Sequence, residues 1–159
     1  MRITFKTYDE LMPLKDMKKS KHQRNKHPQD QIERLALIME KHGVRHPIHI
    51  SRQSGQICFG HGRREAAILN GYKDYPIVYQ DFKDDEEEYA CVQSDNAIAS
   101  WAELDLMSIN MDLPNLGSDF DIDLLGIKNF VLATDAAFDP SGVEADKEQK
   151  TCPYCGEAL

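Results

Sequence analysis

The sequence has no long apolar run and no leader-like N-terminus. No stretch of about 18 consecutive apolar residues occurs, which predicts that the chain does not span a membrane. The first ten residues, MRITFKTYDE, lack the apolar segment of a secretory signal peptide. We therefore expect a cytoplasmic protein whose four cysteines are reduced.

A second CxxC pair is also missing. The single motif CPYCG places Cys152 and Cys155 at the spacing of two thiolate ligands of one tetrahedral zinc ion. A structural zinc site needs four ligands, and Cys58 and Cys91 fall within predicted regular elements. The tail is therefore either a zinc knuckle completed by another chain or an unmetallated remnant.

Charge is distributed unevenly along the chain. Through Tyr75 there are 15 Lys and Arg against 8 Asp and Glu, whereas from Pro76 onward there are 4 against 19. This asymmetry predicts an anionic or nucleic-acid partner for the basic half, although two solvated faces would need no partner. The formal net charge of −8 argues against strong, indiscriminate DNA binding.

Hydrophobic periodicity and turn residues predict an α+β domain with a mixed sheet. Alternation predicts four strands, over Arg2–Tyr8, Pro47–Ile50, Ile57–Phe59 and Pro76–Phe82. Helical spacing predicts helices at 28–42, 63–70, 84–99 and 104–113 and one helical turn at 120–126. The basic stretch 11–27 is expected to be a loop, His27–Pro28 the start of the first helix, and Trp101 a core anchor.

The stretch FGHGRREAA places two glycines, a histidine and two arginines between a strand and a helix. Gly60 and Gly62 permit positive φ and a close approach of the backbone to a ligand. The helix N-terminus offers unpaired N–H groups, and the planar guanidinium of Arg63 or Arg64 suits phosphate oxygens. The pattern predicts a phosphate site in which His61 could donate a hydrogen bond or move a proton. The alternative is a plain tight turn with solvated arginines.

This stretch resembles the phosphate-binding turn of the ParB/sulfiredoxin superfamily. The resemblance covers about Met1–Leu113. Within it, NKHPQDQIERLALIMEKHGVRHPIHI is similar to the first helix and strand of a ParB N-terminal domain, and SDNAIAS to a later motif. It implies a small mixed-sheet core, a nucleoside triphosphate with magnesium, and DNA as a partner. The most similar variety is the ParB-like nuclease domain of phages and prophages, which implies a DNA methyltransferase or other modification enzyme as partner, and a homo-oligomer.

The motifs carry over residue by residue with departures. ParB proteins have G-E-R-R-x-R-A at this turn, where Gly60 and Arg63 match while Gly62 and Glu65 replace the first and third arginines. Sulfiredoxins have G-C-H-R, and His61 stands in place of their reactive cysteine, which excludes thiol chemistry there. Free-serine kinases have G-H-H-R, and three of its four residues match.

The resemblance assigns roles to two groups of residues. Phosphate or nucleotide binding is implied for Gly60, His61, Gly62, Arg63 and Arg64, with Asp95 and Asn96 orienting a metal or sugar. Ala99 occupies the position of the arginine that ends the family's Glu-Asn-x-x-Arg motif.

Three functions are compatible with these residues. The first is a nucleotide-binding or phosphate-binding protein that acts with DNA as an accessory of a phage or prophage modification system. The second is an enzyme, a nuclease or a kinase-like phosphotransferase, with His61 and Glu65 as catalytic groups, although the dense carboxylate cluster of a two-metal nuclease is missing. The third is a non-catalytic interaction module.

The predicted organisation has four parts. A ParB/sulfiredoxin-like domain with a helical extension occupies 1–113, followed by a short apolar extension at 114–133. A flexible linker at 134–151 and the zinc-knuckle-like tail at 152–159 complete the chain.

Overall fold

The structure, a computed structural model, describes residues 1–117 and 120–127. It confirms the α+β class. In chain order the elements are β1 Glu10–Pro13, α1 Gln29–His42, β2 Ile48–Ser51, β3 Ile57–Phe59, α2 His61–Leu69, β4 Asp74–Gln80, α3 Asp85–Ala99 and α4 Leu106–Asp112. Two 3-10 helices follow, Leu113–Leu116 and Ile122–Leu125.

The four strands form one mixed sheet in the order β1-β4-β2-β3. The central strands β2 and β4 run parallel, whereas β1 and β3 pair antiparallel with their neighbours at the two edges. The central strands are the most apolar, and Ile48 and Ile77 are fully buried. Helices α1 and α2 pack against each other, and the small side chains of Ala66 and Ala67 are fully buried in α2.

The predicted strand at Arg2–Tyr8 is wrong. Those residues make a single bridge, Ile3 to Val44, in which the Thr4 N–H donates to the Val44 carbonyl at 2.9 Å. The edge strand is Glu10–Pro13 instead, where pairing with β4 selects the register. Alternation alone could not distinguish these two stretches, because strand formation depends on non-local pairing.

Residues 11–13 of the predicted loop belong to β1 instead, and the basic stretch after β1 is irregular, as expected, but packed rather than solvated. Leu14 and Met17 are buried in the core. Two backbone contacts hold the stretch to the sheet: the Leu14 N–H donates to the Lys73 carbonyl, and the Ile57 N–H donates to the Lys18 carbonyl, both at 2.9 Å. This loop is therefore held in place beside α2 by packing and backbone hydrogen bonds.

Helix boundaries largely follow the predicted signals. Pro28 is the N-cap of α1, and Gly43 ends the helix with φ of 82°. A Cβ on Gly43 would lie 2.7 Å from the Arg2 carbonyl oxygen, so only glycine fits. Asp84 caps α3 by accepting a hydrogen bond from the Glu87 N–H at 2.9 Å.

The expectation that Trp101 anchors the core is wrong, since 75% of it is exposed. After Val92 the described part of α3 buries no further residue, and α4 buries none. Helix α4 ends at Asp112, close to the predicted end at 113. Pro114 lies in the first turn of the 3-10 helix Leu113–Leu116 that follows, where its missing N–H needs no partner.

Several predictions fall on the remaining residues. The linker at 134–151 and the ligand pair Cys152 and Cys155 lie outside the described residues, and the segment boundaries stay predictions. In residues 1–117 and 120–127, no helix has both the length and the apolar character needed to cross a membrane.

Candidate phosphate-binding site

The Gly60 turn joins β3 directly to α2. Gly60 has φ of 102°, a left-handed conformation that favours glycine. A Cβ at this position would also lie 3.0 Å from Arg63 Nε and 3.2 Å from Ile48 Cγ1. The Arg64 N–H donates to the Gly60 carbonyl at 3.0 Å, and the amides before it have no acceptor within the helix. The turn thus places backbone N–H groups that lack an acceptor within the helix close to the Arg63 guanidinium.

A cleft of about 240 Å³ opens at this turn. It brings together six of the predicted site residues: Gly60, His61, Gly62, Arg63, Asp95 and Asn96. The remaining lining comes from the basic loop, α1 and β3, through Gln23, His27, Leu35, Cys58 and Phe59. Helix α3 and the turn, which are distant in sequence, therefore face one cavity.

Arg63 carries the positive charge of the cleft. Its Nε is buried and has no hydrogen-bond partner among the described residues. Burial lowers the pKa of the Arg63 guanidinium, and nearby Tyr75 and Asp95 oppose that shift. Because an arginine stays charged in proteins, the cleft contains a desolvated cation whose hydrogen-bonding capacity an anion could satisfy.

His61 is held as a neutral acceptor. Its ring is buried, and Nε2 accepts a hydrogen bond from the Ser20 backbone N–H at 3.2 Å. Burial lowers the pKa of His61 to about 4, and the positive charges of His27 and Lys19 act in the same direction. At neutral pH, His61 therefore adds no positive charge to the cleft and instead fixes the basic loop against α2.

His27 packs over the second glycine of the turn. A Cβ on Gly62 would lie 3.3 Å from His27 Cε1, so a larger residue would displace the ring. His27 Nδ1 lies 3.0 Å from Gln31 Oε1, and its Nε2 lies 3.4 Å from Gln23 Nε2. Nδ1 can donate to the Gln31 oxygen and Nε2 can accept from the Gln23 amide, so both ring nitrogens have partners.

Arg64 and Glu65 lie outside this cleft. Consecutive helical residues point about 100° apart, so only one of two adjacent arginines can face the turn. Arg64 Nη2 donates to the Leu14 carbonyl at 3.2 Å, and Nη1 lies 3.1 Å from Glu65 Oε1. Burial alone would raise the pKa of Glu65, but its contacts with Lys19 and Arg64 lower it. Glu65 lines a neighbouring cavity of about 460 Å³, which shares His61 with the cleft.

Asp95 and Asn96 reach the cleft from α3. The Asn96 Nδ2 donates to the Val92 carbonyl at 2.8 Å, which leaves its side-chain oxygen as the group that can accept a ligand. Within the described ranges, no cluster of three or more His, Cys, Asp or Glu residues could hold a metal ion. The pair could at most complete the shell of a magnesium ion that arrives with a nucleotide.

Five lining residues of the cleft lie outside the predicted site, and two of them, Gln23 and His27, also line its neighbour. His27–Pro28 is predicted to start α1, and a helix end that faces the ligand is the alternative implied by the family resemblance. The place of Gln23 and His27 depends on the path of an irregular loop, which no periodic pattern reports. The one available signal was a histidine next to a helix N-terminus within a basic stretch.

Cys58 is expected to be unreactive in the folded protein. Its thiol donates to the His49 carbonyl at 3.3 Å, and burial raises the pKa of Cys58 to about 12. A thiolate is the reactive form, so we expect iodoacetamide at pH 7.5 to modify Cys58 at least about a hundredfold faster in urea than in the native state. Peptide mass spectrometry resolves each cysteine. Equal rates in both states would contradict the burial.

Comparisons with known proteins support the fold. No family model matches the chain, and no curated protein matches it closely enough to serve as a relative. The structure resembles that of C-terminally truncated chromosome-partitioning ParB from Caulobacter crescentus complexed with CTP-gamma-S, with 21% identity and a TM-score of 0.57. The match covers 67% of this chain and 61% of that one, so the chain spans about three fifths of that ParB.

Two weaker likenesses accompany it. Sulfiredoxin from Arabidopsis thaliana matches at 17% identity and a TM-score of 0.40, over 46% of this chain and 84% of that one. A Pnob8-like ParB-N domain matches at 17% identity and a TM-score of 0.47, over 69% of this chain and 48% of that one. Of these three structures, that of the Caulobacter protein has the highest TM-score. Its likeness shows that the chain has the ParB-like fold expected from the sequence.

Proposed function

We propose that the chain binds a nucleoside triphosphate in the cleft at the Gly60 turn and acts with DNA. One observation carries the proposal: the partly buried guanidinium of Arg63, whose Nε is unpartnered among the described residues, packs against Gly60 at the N-terminus of α2. A helix N-terminus and a guanidinium are complementary to phosphate oxygens. The likeness to a ParB complexed with a CTP analogue supports the choice of a nucleotide.

Helix α3 gives this ligand a second point of attachment. Asp95 and Asn96 line the same cleft as Arg63. Their oxygens would bind the magnesium ion that a triphosphate carries, or the sugar hydroxyls. Because Asp95 is acidic, we expect a triphosphate to bind better with magnesium than without it.

Arg63 and Arg64 provide a matched pair of variants. We expect Arg63→Ala to weaken triphosphate binding roughly 100-fold, because it removes a buried partner of the phosphate charge. Arg64→Ala removes the same side chain from the next position, outside the cleft, and is expected to keep affinity within about threefold. Thermal-shift titrations with ATP, CTP, GTP, UTP and inorganic tripolyphosphate, with and without magnesium, measure both.

The outcomes separate the possibilities. A ligand at one hundred times its dissociation constant stabilises the native state by roughly 2.7 kcal/mol, a clear upward shift of Tm. If no compound raises the Tm, or if both arginine variants weaken binding equally, the cleft is not a phosphate site. A shift with tripolyphosphate alone would assign phosphate binding without a nucleotide.

The DNA role draws on the basic loop beside the cleft. Lys18 and Lys26 are exposed there, and neither makes an ion pair among the described residues. We expect a fluorescent DNA duplex to bind with a strong salt dependence. The double variant Lys18→Gln/Lys26→Gln should reduce the log–log salt slope by about 2. The control is Lys6→Gln/Lys41→Gln, which makes the same charge change elsewhere. An equal reduction of the salt slope by both double variants would show that the loop is not part of the DNA interface.

A narrower role would be that of an accessory to a phage or prophage DNA-modification system, docked to a methyltransferase through the Cys152 and Cys155 knuckle. The resemblance of the sequence supports this role. Pull-down with a methyltransferase before and after zinc chelation tests it. Equal capture in both conditions would show that docking does not require zinc.

An enzyme on the same scaffold is the alternative. His61 borders both the cleft and the neighbouring cavity, which could place a phosphate donor and an acceptor on either side of it. Phosphate release from bound nucleotide that disappears in His61→Ala while binding is retained would favour this alternative. A similar loss of phosphate release in Glu65→Gln would indicate that the Glu65 carboxylate also takes part in the reaction.

A further inference from the structure

Arg64, which the turn directs away from the phosphate-binding cleft, lines a separate cavity. Its volume is about 620 Å³, and it shares no lining residue with the cleft. The lining residues come from the end of β1, from α2 and from the start of β4: Pro13, Leu14, Lys15, Arg64, Ile68, Tyr72, Lys73 and Asp74. The hydrogen bond from the Leu14 N–H to the Lys73 carbonyl, 2.9 Å long, fixes one side of the rim.

The floor of this cavity is apolar and partly uncovered. Leu14 is buried beneath it, Tyr72 is half-buried, and 45% of Ile68 is exposed. An apolar group placed on these three side chains would remove their exposed surface from water, which is favourable in proportion to the area covered. The volume also falls within the range of small-molecule sites.

The charges around the floor leave an excess of positive charge. The Arg64 guanidinium contacts Glu65 at 3.1 Å, and Lys19 shares the same carboxylate at 2.9 Å. Lys15 and Lys73 are exposed at the rim, and within residues 1–117 and 120–127 neither makes an ion pair. Asp74 is the acidic residue of the lining and balances one of the two. The lining is therefore net positive and matches an anionic ligand.

We propose that this cavity binds a small apolar carboxylate. The carboxylate would lie between Lys15 and Lys73 at the rim, where two ammonium groups can both donate to it. Its apolar body would rest on Ile68 and Tyr72. The site uses no residue of the phosphate-binding cleft, so it stands whether or not the chain binds a nucleotide.

Two probes of one shape and opposite charge test the proposal. We would titrate the full chain, labelled with ¹⁵N, with 4-phenylbutyrate and separately with 4-phenylbutylamine up to about 10 mM, a concentration suited to weak ligands of this size. The acid is expected to shift the amide signals of Arg64, Ile68, Tyr72 and Lys73. The amine should bind at least about tenfold more weakly, because only its charge differs.

Surface variants keep the test independent of folding. The double variant Lys15→Gln/Lys73→Gln is expected to weaken the acid about tenfold, whereas Lys6→Gln/Lys41→Gln, the same charge change away from the cavity lining, should leave its affinity unaltered. Equal binding of acid and amine, no shifts with either, or shifts confined to the exposed side chains of α4 would overturn the proposal. A longer acidic peptide that binds where both small probes fail would also overturn it and assign the surface to a protein segment.

Discussion

Replacing Glu88 with alanine is expected to destabilise the protein by about 2–4 kcal/mol, because two hydrogen bonds to a buried carboxyl group are lost. Glu88 is fully buried in the first half of α3. Its carboxylate accepts from Ser51 Oγ at 2.7 Å and from Ser54 Oγ at 2.9 Å, which ties α3 to the turn between β2 and β3. Without it, two hydroxyl groups lose their acceptor and a cavity remains.

Urea unfolding followed by circular dichroism measures this loss as a lower midpoint at an unchanged slope. Glu86→Ala is the matched control, since this exposed neighbour on the same helical turn should alter stability by no more than about 0.5 kcal/mol. Ser54→Ala removes the hydrogen bond to Glu88 and the one that Ser54 Oγ accepts from the Gln56 N–H at 3.3 Å. It is expected to cost about 1–2 kcal/mol, which keeps the test valid if Glu88→Ala does not fold. Equal midpoints for Glu86→Ala and Glu88→Ala would show that the buried contact adds no stability.

Glu88 also marks the limit of what periodicity predicts. The acidic run at the start of α3 predicts a helix N-terminus with solvated carboxylates, and the helix is confirmed. That one of those carboxylates is buried depends on two serine hydroxyls of another element, more than thirty residues away in sequence. A local pattern carries no information on such a partner, because the same helix could equally expose the whole run.

The candidate site likewise has a part that the local sequence predicts and a part that depends on the fold. The turn could be recognised from its two glycines. The structure explains the first of them, because Gly60 has positive φ and a Cβ there would contact Arg63. The sequence could not separate Arg63 from Arg64, because which of the two faces the cleft depends on the helical phase at which α2 begins. The residue pattern predicts that α2 begins at Arg63, whereas it begins two residues earlier, at His61.

His61 should make the protein less stable as the pH falls from 7.5 to 5. Its ring is 7% exposed, and burial lowers its pKa from 6.5 to about 4. A histidine with a depressed folded-state pKa leaves stability intact above the unfolded value of 6.5. Below 6.5 the unfolded chain binds a proton that the native state does not, so stability falls until the pH reaches about 4.

The size of the effect follows from the two pKa values. Between pH 7.5 and pH 5, the difference in proton binding amounts to about 2 kcal/mol of lost stability. His61→Gln keeps an oxygen that can accept from the Ser20 N–H and does not titrate, so most of this pH dependence should disappear. His49, whose pKa burial also lowers, stays in both proteins and contributes equally.

Urea unfolding of both proteins at pH 5, 6 and 7.5 measures the difference. Glu65 cannot imitate it, because the pKa of that carboxyl is itself lowered and its stabilising contribution is lost only below its unfolded value of 4.5. Equal pH dependence in wild type and His61→Gln would mean that His61 titrates normally and is free to carry charge in the cleft. A flattened profile in the variant would mean that His61 stays neutral at pH 7, holds the basic loop through Ser20, and leaves Arg63 as the cation that a phosphate meets.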